Sequence, residues 1–325
     1  MNKSVWMSKH FGKDTDELKR TLDDLRECGI NRILYNAPIN EIEGLLKYSG
    51  DLEIRIWKFI LCNNDETQIK THPDRFIINK LGQSCITNPA YVEYYKWLCP
   101  NHPEVLGYLK TSIKELCKIS ELKGIQLDYI RFPDVILPKG IQPQYNLNQT
   151  TEEPQYDYCY CANCRRKFKE KTGFDIIQDL EVREVQDYNT IWKQFRYDSI
   201  TELVNNLSEF VHGFKKEISA AVFPTPQIAK TLVRQEWTKW TLDEVYPMIY
   251  HNHYEKSVSW IAEAIELGTM NTSAKLNAGL YLPAFPRDEL KQAFEICRDS
   301  NASGFSLFSA NSITNEHRKI LKETC

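Results

Sequence analysis

Strand-like and helix-like segments alternate along the whole 325-residue chain. Short apolar segments rich in β-branched and aromatic residues predict strands, and amphipathic segments at helical spacing follow them. A strand–helix–strand sequence needs a crossover, so neighbouring strands run parallel. Eight such units predict a (β/α)8 TIM barrel, and we expect one domain over residues 1–325. The predicted strands are Val5–Ser8, Arg32–Asn36, Leu52–Leu61, a fourth that begins at Gly124, Ala220–Phe223, Val245–His251, Leu276–Leu282 and Gly304–Phe308.

The rival architecture is an open, doubly wound sheet. That class usually carries a glycine-rich first turn, and the sequence contains no GxGxxG motif. Two long loops interrupt the alternation, at about 62–101 after the third strand and 134–188 after the fourth. Connections of this length are usually functional or disordered. The first is rich in aromatic residues, so we expect it to fold against the barrel mouth.

Charge and hydropathy limit the partners of the chain. The formal net charge of −3 gives no reason to expect a nucleic-acid or anionic-membrane partner. No apolar run approaches the ~20 residues of a membrane span. The first residues show no signal-peptide pattern, which at face value indicates the cytoplasm. A mature periplasmic or secreted domain would look the same, and the oligomeric state is left open.

Asp128 is the most informative polar residue on a predicted strand. It stands in the run GIQLDYIRFP, between β-branched and aromatic residues. A lone ionised carboxylate is costly to desolvate, so Asp128 should lie where the strand opens into a cleft. Alternation puts Asp128 on one face and Ile125, Leu127 and Tyr129 on the other, which points Asp128 into the barrel. The alternative is a structural ion pair with Arg131 that fixes the following loop.

Active sites of such barrels lie at the carboxyl ends of the strands, which selects candidates without any alignment. A chain with 7 Trp and 17 Tyr also has aromatic rings to spare for a binding cleft. Packing in the core accounts equally well for some of them, Tyr250 and Trp237 in particular. The candidates for substrate binding are Trp6, His10, Asn36, Lys58, Arg131, Asp157, Trp237, Tyr250, His251 and Tyr281.

A second carboxylate on the same face would allow paired acid–base chemistry, as in glycosidic cleavage. Glu236 is the best placed, because it follows the fifth strand and starts a short helix over 235–240. The alternative is a helix-start carboxylate that is stabilised by the helix dipole. Asp134 and Asp157 are weaker candidates on a loop that could close over the site.

Cysteine spacing gives a weak metal signal. Cys159, Cys161 and Cys164 form a C-x-C-x-x-C cluster that offers three zinc thiolates, with a fourth ligand from Cys85, Cys99 or a histidine. The paired CxxC arrangement is absent, so we favour a small-residue helix start that packs on the barrel and predict no metal and no cofactor. His251 and His253 lack a third ligand at a diagnostic spacing. No phosphate loop, GxSxG elbow or HExxH motif is present.

Several motifs resemble one family. GIQLDYIRFP is similar to the fourth-strand signature DGIxxDYIRYP of bacterial glycosyl hydrolase-like proteins related to glycoside hydrolase family 10. Two departures are Lys123, where the signature has Asp, and Glu236, where the family's QDW block has Asp. The other matching segments are Val5–Met7, Gly29–Ile33, Gln235–Trp240 with Leu242–Asp243 and Pro247–Tyr250, and a cysteine-containing insert from Cys159 to Gly173.

The resemblance implies a (β/α)8 barrel, a carbohydrate substrate and Asp128 in the site. We therefore expect a glycoside hydrolase in which Asp128 is the nucleophile or base, Glu236 is the general acid and Arg131 keeps Asp128 ionised. One alternative is a non-catalytic glycan-binding barrel, favoured if no second carboxylate lies within reach of Asp128. Another is a metal-dependent hydrolase or isomerase, which needs histidines and carboxylates clustered at the strand ends.

Overall fold

Eight parallel strands close into a barrel in chain order, with β8 hydrogen-bonded to β1. The computed structural model describes residues 1–8, 14–179 and 188–324. The predicted (β/α)8 fold is confirmed. The strands are β1 (Asn2–Ser8), β2 (Arg32–Asn36), β3 (Glu53–Phe59), β4 (Gly124–Asp128), β5 (Glu217–Val222), β6 (Glu244–Pro247), β7 (Lys275–Tyr281) and β8 (Gly304–Phe308).

Helices fill the crossovers and bury apolar stripes against the outer face of the barrel. The first begins at Asp14, whose carboxylate accepts a hydrogen bond of 2.7 Å from the Glu17 amide and so caps the helix. The helices are α1 (Thr15–Glu27), α2 (Ile39–Leu46), α3 (Glu66–Thr71), α4 (Val105–Cys117), α5 (Ala162–Thr172), α6 (Tyr188–His212), α7 (Pro226–Val233), α8 (Trp260–Thr269), α9 (Arg287–Asp299) and α10 (Asn315–Thr324).

The crossover between β5 and β6 differs from the predicted one. Helix α7 precedes the expected short helix, which shrinks to a 3-10 turn at Trp237–Lys239. The Thr225 hydroxyl accepts a hydrogen bond from the Ile228 amide, and Pro226 occupies the first helical position. A capping threonine followed by proline is a strong helix start, and this signal was missed.

Strand β6 is also shorter than predicted. It ends at Pro247, and His251 begins a 3-10 turn, His251–Tyr254, beyond the strand. Helix α6 ends at His212, and Lys215 adopts a positive φ of 58° that leads the chain into β5.

The two long loops pack on each other. Asn79 forms an antiparallel bridge with Tyr158. The Tyr160 amide donates to the Ile78 carbonyl over 2.7 Å, and the Lys80 amide donates to the Asp157 carbonyl over 3.0 Å. The loop after β4 is therefore held by the loop after β3.

A buried ion-pair network fills the amino-terminal end of the barrel. Arg55 is fully buried and contacts Glu53, Glu217 and Glu244 at 2.8, 2.5 and 3.1 Å. Arg32 contacts Glu244 at 2.5 Å. Glu53, Glu217, Glu244 and Arg32 each open a strand, so the network ties the strand starts together.

No helix in the described ranges is long and apolar enough to cross a membrane.

Removing Arg55 should leave buried carboxylates without their partner. We expect Arg55→Ala to lower the free energy of unfolding by about 3–5 kcal/mol, measured by urea denaturation. The control is Arg298→Ala, which breaks an exposed pair with Asp299 and should change the free energy of unfolding far less than Arg55→Ala does. Equal costs for the two variants would contradict a stabilising role for the network.

Candidate active site

An aromatic wall lines the mouth at the carboxyl ends of the strands. One half runs from β1 to β3 and to the end of β4. Between ring centroids, Trp6 lies 5.6 Å from Trp57, and Trp57 lies 5.4 Å from Phe59. The Phe59 ring in turn lies 4.6 Å from the Tyr129 ring. The Trp6 indole N–H donates to the Ser306 hydroxyl over 2.7 Å, so Trp6 forms the floor of the mouth.

The other half of the wall runs through β8, β7 and the turn after β6. The ring of Phe308 lies 6.2 Å from Trp6 and 6.4 Å from Tyr281, and Tyr281 lies 5.4 Å from Tyr250. Phe308 is 42% exposed, and Phe59 on the opposite side is 43% exposed. Exposed flat rings around a cleft suit the apolar faces of sugar rings.

Asp128 lies within this mouth, as the last residue of β4 and in register with Phe59. The carboxylate is half-buried, and its Oδ1 accepts a hydrogen bond of 2.8 Å from the Tyr129 amide. Burial raises the pKa of Asp128 to about 6, although the Tyr129 amide and the Arg131 charge oppose the shift. Burial and the nearby Asp128 carboxylate together raise the pKa of Tyr250. The Asp128 carboxyl group therefore titrates closer to neutral pH than an ordinary aspartate.

Tyr129 does not continue the strand. Its φ of 49° turns the chain into the left-handed region directly after Asp128. The turn places the Tyr129 ring at the mouth against Phe59, not on the helix-facing side that alternation predicts. The same turn directs the Tyr129 amide at the Asp128 carboxylate.

Arg131 does not pair with Asp128. Its guanidinium donates over 2.9 Å to the Asp134 carboxylate and lies 5.2 Å from the Trp97 ring centroid and 5.1 Å from that of Phe223. The charge of Arg131 lowers the pKa of Asp128, as expected, but burial outweighs this effect, and the ion pair of Arg131 is with Asp134. Arg131 fixes the loop after β4 instead.

Glu236 lies apart from Asp128. It is buried outside the mouth, where Lys230 and Lys239 each contact one of its oxygens at 2.8 Å and Gln194 of α6 donates over 3.1 Å. Although burial raises the pKa of Glu236, these three donors lower it overall. A carboxylate held ionised by two lysines is a poor proton donor, so the geometry does not support Glu236 as the general acid.

Two further candidates also lie away from the mouth. Trp237 is fully buried next to Gly268 of α8, on the helix side of the barrel, and is a core residue. Asp157 is buried between Arg196 and Arg234 and accepts a hydrogen bond of 2.6 Å from the Tyr160 hydroxyl. Burial raises the pKa of Asp157, but the two arginines outweigh it and lower the pKa overall. Asp157 therefore joins the β4 loop to α6.

The remaining candidates divide between the rim and the core. Lys58 Nζ lies 3.4 Å from Asn36 Oδ1, and both side chains are half-buried near the ends of β3 and β2. His251 is buried against Phe285. Its neighbour His253 lies at the mouth instead, 5.4 Å from the Tyr250 ring and 5.2 Å from that of Tyr281. His10 lies outside the described residues.

Trp57, Phe59 and Phe308 are mouth residues that sequence reasoning missed. The signal was present on β3, where Ile54 and Ile56 alternate with the inward positions. Because side chains on a strand alternate between its two faces, Trp57 and Phe59 lie on the same face of the sheet as Asp128. Lys58 lies on the other face of β3, with Ile54 and Ile56, and its ammonium group contacts Asn36 near the rim.

One group in the described part of the chain has metal-ligand geometry, and it consists of Cys99, Cys159, Cys161 and Cys164 rather than of histidines and carboxylates. It lies in the two long loops, not at the strand ends. The described residues therefore give no support to a metal-dependent hydrolase or isomerase site at the mouth.

A closed parallel barrel whose mouth combines a desolvated carboxylate with an aromatic wall is a glycosidase-like TIM barrel. The sequence model of one family, glycosyl hydrolase-like 10, matches residues 51–281. The chain belongs to this glycosyl hydrolase-like family, which confirms the resemblance seen in its motifs. No curated protein sequence matches the chain significantly.

Solved glycosidase structures share the fold. The catalytic domain of a β-amylase from Paenibacillus polymyxa superposes with a TM-score of 0.67 at 12% identity, covering 99% of this chain and 97% of that one. An endo-1,4-β-mannanase from Rhizomucor miehei gives 0.59 at 8% identity, covering 99% and 93%. A class V chitinase from Pseudomonas fluorescens Pf-5 gives 0.56 at 9% identity, covering 99% of both chains. At these identities the likeness concerns the fold.

The raised pKa of Asp128 predicts how stability depends on pH. The folded pKa of about 6 exceeds the unfolded value of about 3.9, so the folded state binds the proton more tightly. Stability from this group is present below about pH 4 and is lost as pH rises through about 6. Asp128→Asn should remove this loss and raise the free energy of unfolding at pH 8 by about 1–2 kcal/mol, allowing for solvent screening.

Urea denaturation at pH 4, 6 and 8 measures this effect. The control is Asp16→Asn, whose side chain is 82% exposed and which should keep the pH dependence of the wild type. An Asp128→Asn variant that loses stability between pH 4 and 8 as steeply as the wild type would show that Asp128 is not desolvated.

Proposed function

We propose that this protein is a glycoside hydrolase in which Asp128 is the general acid. The observation that carries the proposal is a desolvated carboxylate at the end of β4, surrounded by the aromatic wall. This assignment replaces the role of nucleophile or base that the sequence suggested. Membership of the glycosyl hydrolase-like family supports carbohydrate as the substrate class.

Glycosidic cleavage needs a proton on the leaving oxygen as the bond to the anomeric carbon breaks. A carboxyl group with a pKa of about 6 holds that proton in mildly acidic solution and can deliver it. In the proposed reaction Asp128 gives its proton to the glycosidic oxygen as the bond from that oxygen to the anomeric carbon breaks. A water oxygen then bonds to the anomeric carbon, and that water releases one proton to solvent. The Asp128 carboxylate then regains a proton from solvent.

The aromatic wall supplies the binding surface in this proposal. Phe59 and Phe308 present exposed rings on opposite sides of the mouth, and Tyr250 and Tyr281 add hydroxyl groups between them. Asn36 and Lys58 provide an amide and an ammonium group at the rim. Such a surface stacks on sugar rings and hydrogen-bonds their hydroxyls.

Leaving-group dependence tests the role of Asp128. After a panel of glycans and aryl glycosides has identified a substrate, we expect Asp128→Asn to lower kcat by about 10²–10⁴-fold on an unactivated glycan. The loss should be about tenfold or less on an aryl glycoside whose acidic phenol leaves without protonation. Steady-state kinetics of both variants on both substrates measures the difference.

Glu236→Gln is the matched control, because it also neutralises a carboxylate beside a barrel loop. Its kcat should stay within about threefold of the wild type, since Glu236 contacts lysines rather than the mouth. Equal losses for Asp128→Asn on activated and unactivated substrates would indicate a nucleophile, and no loss would remove Asp128 from the mechanism.

One observation favours a second candidate function, a glycan-binding barrel without hydrolysis. In the described ranges no other carboxyl group is hydrogen-bonded to Asp128, whose Oδ1 accepts from the Tyr129 amide, and Glu236 is engaged by Lys230 and Gln194. Isothermal titration followed by chromatography of the glycan separates the two functions. Binding with complete recovery of the intact glycan would establish the binding module.

Both functions require the aromatic wall. Phe59→Ala should weaken glycan binding by about tenfold, since a stacked ring contributes about 0.5–1.5 kcal/mol beyond its buried area. The control is Met270→Ala, which changes a side chain that is 75% exposed at the end of α8. Unchanged affinity of Phe59→Ala in isothermal titration would exclude this half of the mouth as the binding surface.

A further inference from the structure

Four buried cysteine thiols converge where the two long loops meet. The sulfur atoms of Cys99, Cys159, Cys161 and Cys164 all lie within 4.8 Å of one another. Cys99 Sγ lies 3.9 Å from that of Cys159, 3.5 Å from that of Cys161 and 3.4 Å from that of Cys164. Each of the four residues is 4% exposed or less.

These separations match a metal site and not a pair of disulfides. A disulfide holds its sulfurs at about 2.05 Å. In a tetrahedral site with zinc–sulfur bonds of about 2.3 Å, neighbouring sulfurs lie about 3.8 Å apart. The three distances from Cys99 lie near this value, and all four sulfurs lie within 4.8 Å of one another, so they are close enough together to share one ion.

Amide groups and one helix amino terminus are directed at three of the four sulfurs. Cys161 caps the amino terminus of α5 and Cys164 lies in its first turn, where the helix dipole stabilises negative charge. The Asn101 amide donates to Cys164 Sγ over 3.3 Å, and the Cys161 backbone amide lies 3.5 Å from Cys159 Sγ. Hydrogen bonds of this kind orient and stabilise metal-bound sulfur.

We propose that Cys99, Cys159, Cys161 and Cys164 bind one structural Zn²⁺ ion. Four sulfur ligands in tetrahedral arrangement suit zinc. A site with four protein ligands leaves no position for substrate, so the ion serves folding rather than catalysis. The structure selects Cys99 as the fourth ligand: Cys85 pairs with the Trp97 backbone, and His102 contacts Asp74 at 3.1 Å.

The ion would join the two long loops beside the mouth. Cys99 lies in the loop after β3, two residues beyond Trp97, and the other three ligands lie in the loop after β4. The ring of Trp97 packs 5.5 Å from Tyr129, which follows Asp128. Zinc would therefore hold this part of the aromatic wall in place from behind.

Metal analysis of the full-length protein tests the site without reference to catalysis. Protein produced in zinc-supplemented medium and dialysed against a mild chelator should retain about one zinc per chain by mass spectrometry of the metal. Removal of the zinc should lower the melting temperature. Replacing it with Co²⁺ should give the intense visible absorption of a tetrahedral tetrathiolate centre.

Variants identify the ligands. Cys99→Ser and Cys161→Ser should each lose most of the bound zinc, whereas the control Cys117→Ser, a buried cysteine of α4 outside the cluster, should keep it. If a ligand variant does not fold, cobalt absorption and thiol titration of the wild type still decide the question. Absence of stoichiometric zinc, two disulfides in the intact mass, or iron in place of zinc would overturn the proposal. Loss of hydrolytic activity in the Asp128 variants would not bear on it.

Discussion

Closure of the barrel between β8 and β1 is the constraint on which the remaining structure depends. It turns the inward residues of every strand toward one axis and brings all the strand ends to one mouth. At the amino-terminal end the enclosed space is filled by the Arg32 and Arg55 network. Burying these charges is costly, and the ion pairs with carboxylates offset that cost. At the carboxyl end the same closure surrounds Asp128 with rings and raises its pKa.

The mouth is shaped by loops as much as by strands. Tyr129 turns the chain directly after β4, and the Arg131 guanidinium lies 5.1 Å from the Tyr129 ring centroid while it pairs with Asp134 at 2.9 Å. The rings of Tyr95 and Trp97, from the loop after β3, pack against Tyr129. A zinc-bound cysteine cluster behind these rings would make the wall part of a rigid frame, and this agrees with the closed character of a four-ligand site.

Sequence periodicity was sufficient for the fold and for the inward placement of Asp128, because alternation on a buried strand leaves one face for a carboxylate. It failed where the backbone stops being regular. The positive φ of Tyr129 reverses the side chain that alternation predicts, and only tertiary packing stabilises that conformation. Glu236 follows β5 as the sequence predicts, but its carboxylate forms ion pairs with Lys230 of α7 and with Lys239. The fourth cysteine, Cys99, is sixty residues from the cluster, a separation that no spacing rule links.

The protonation state of Asp128 is the central claim, and direct titration of its carboxyl carbon tests it most directly. Aspartate labelled with ¹³C at Cγ, followed by NMR from pH 3 to 8 and assigned with Asp128→Asn, reports this group alone. The structure predicts a titration midpoint of about 6. A midpoint at or below about 3.9, the value of an unperturbed aspartate, would contradict a general acid at this position.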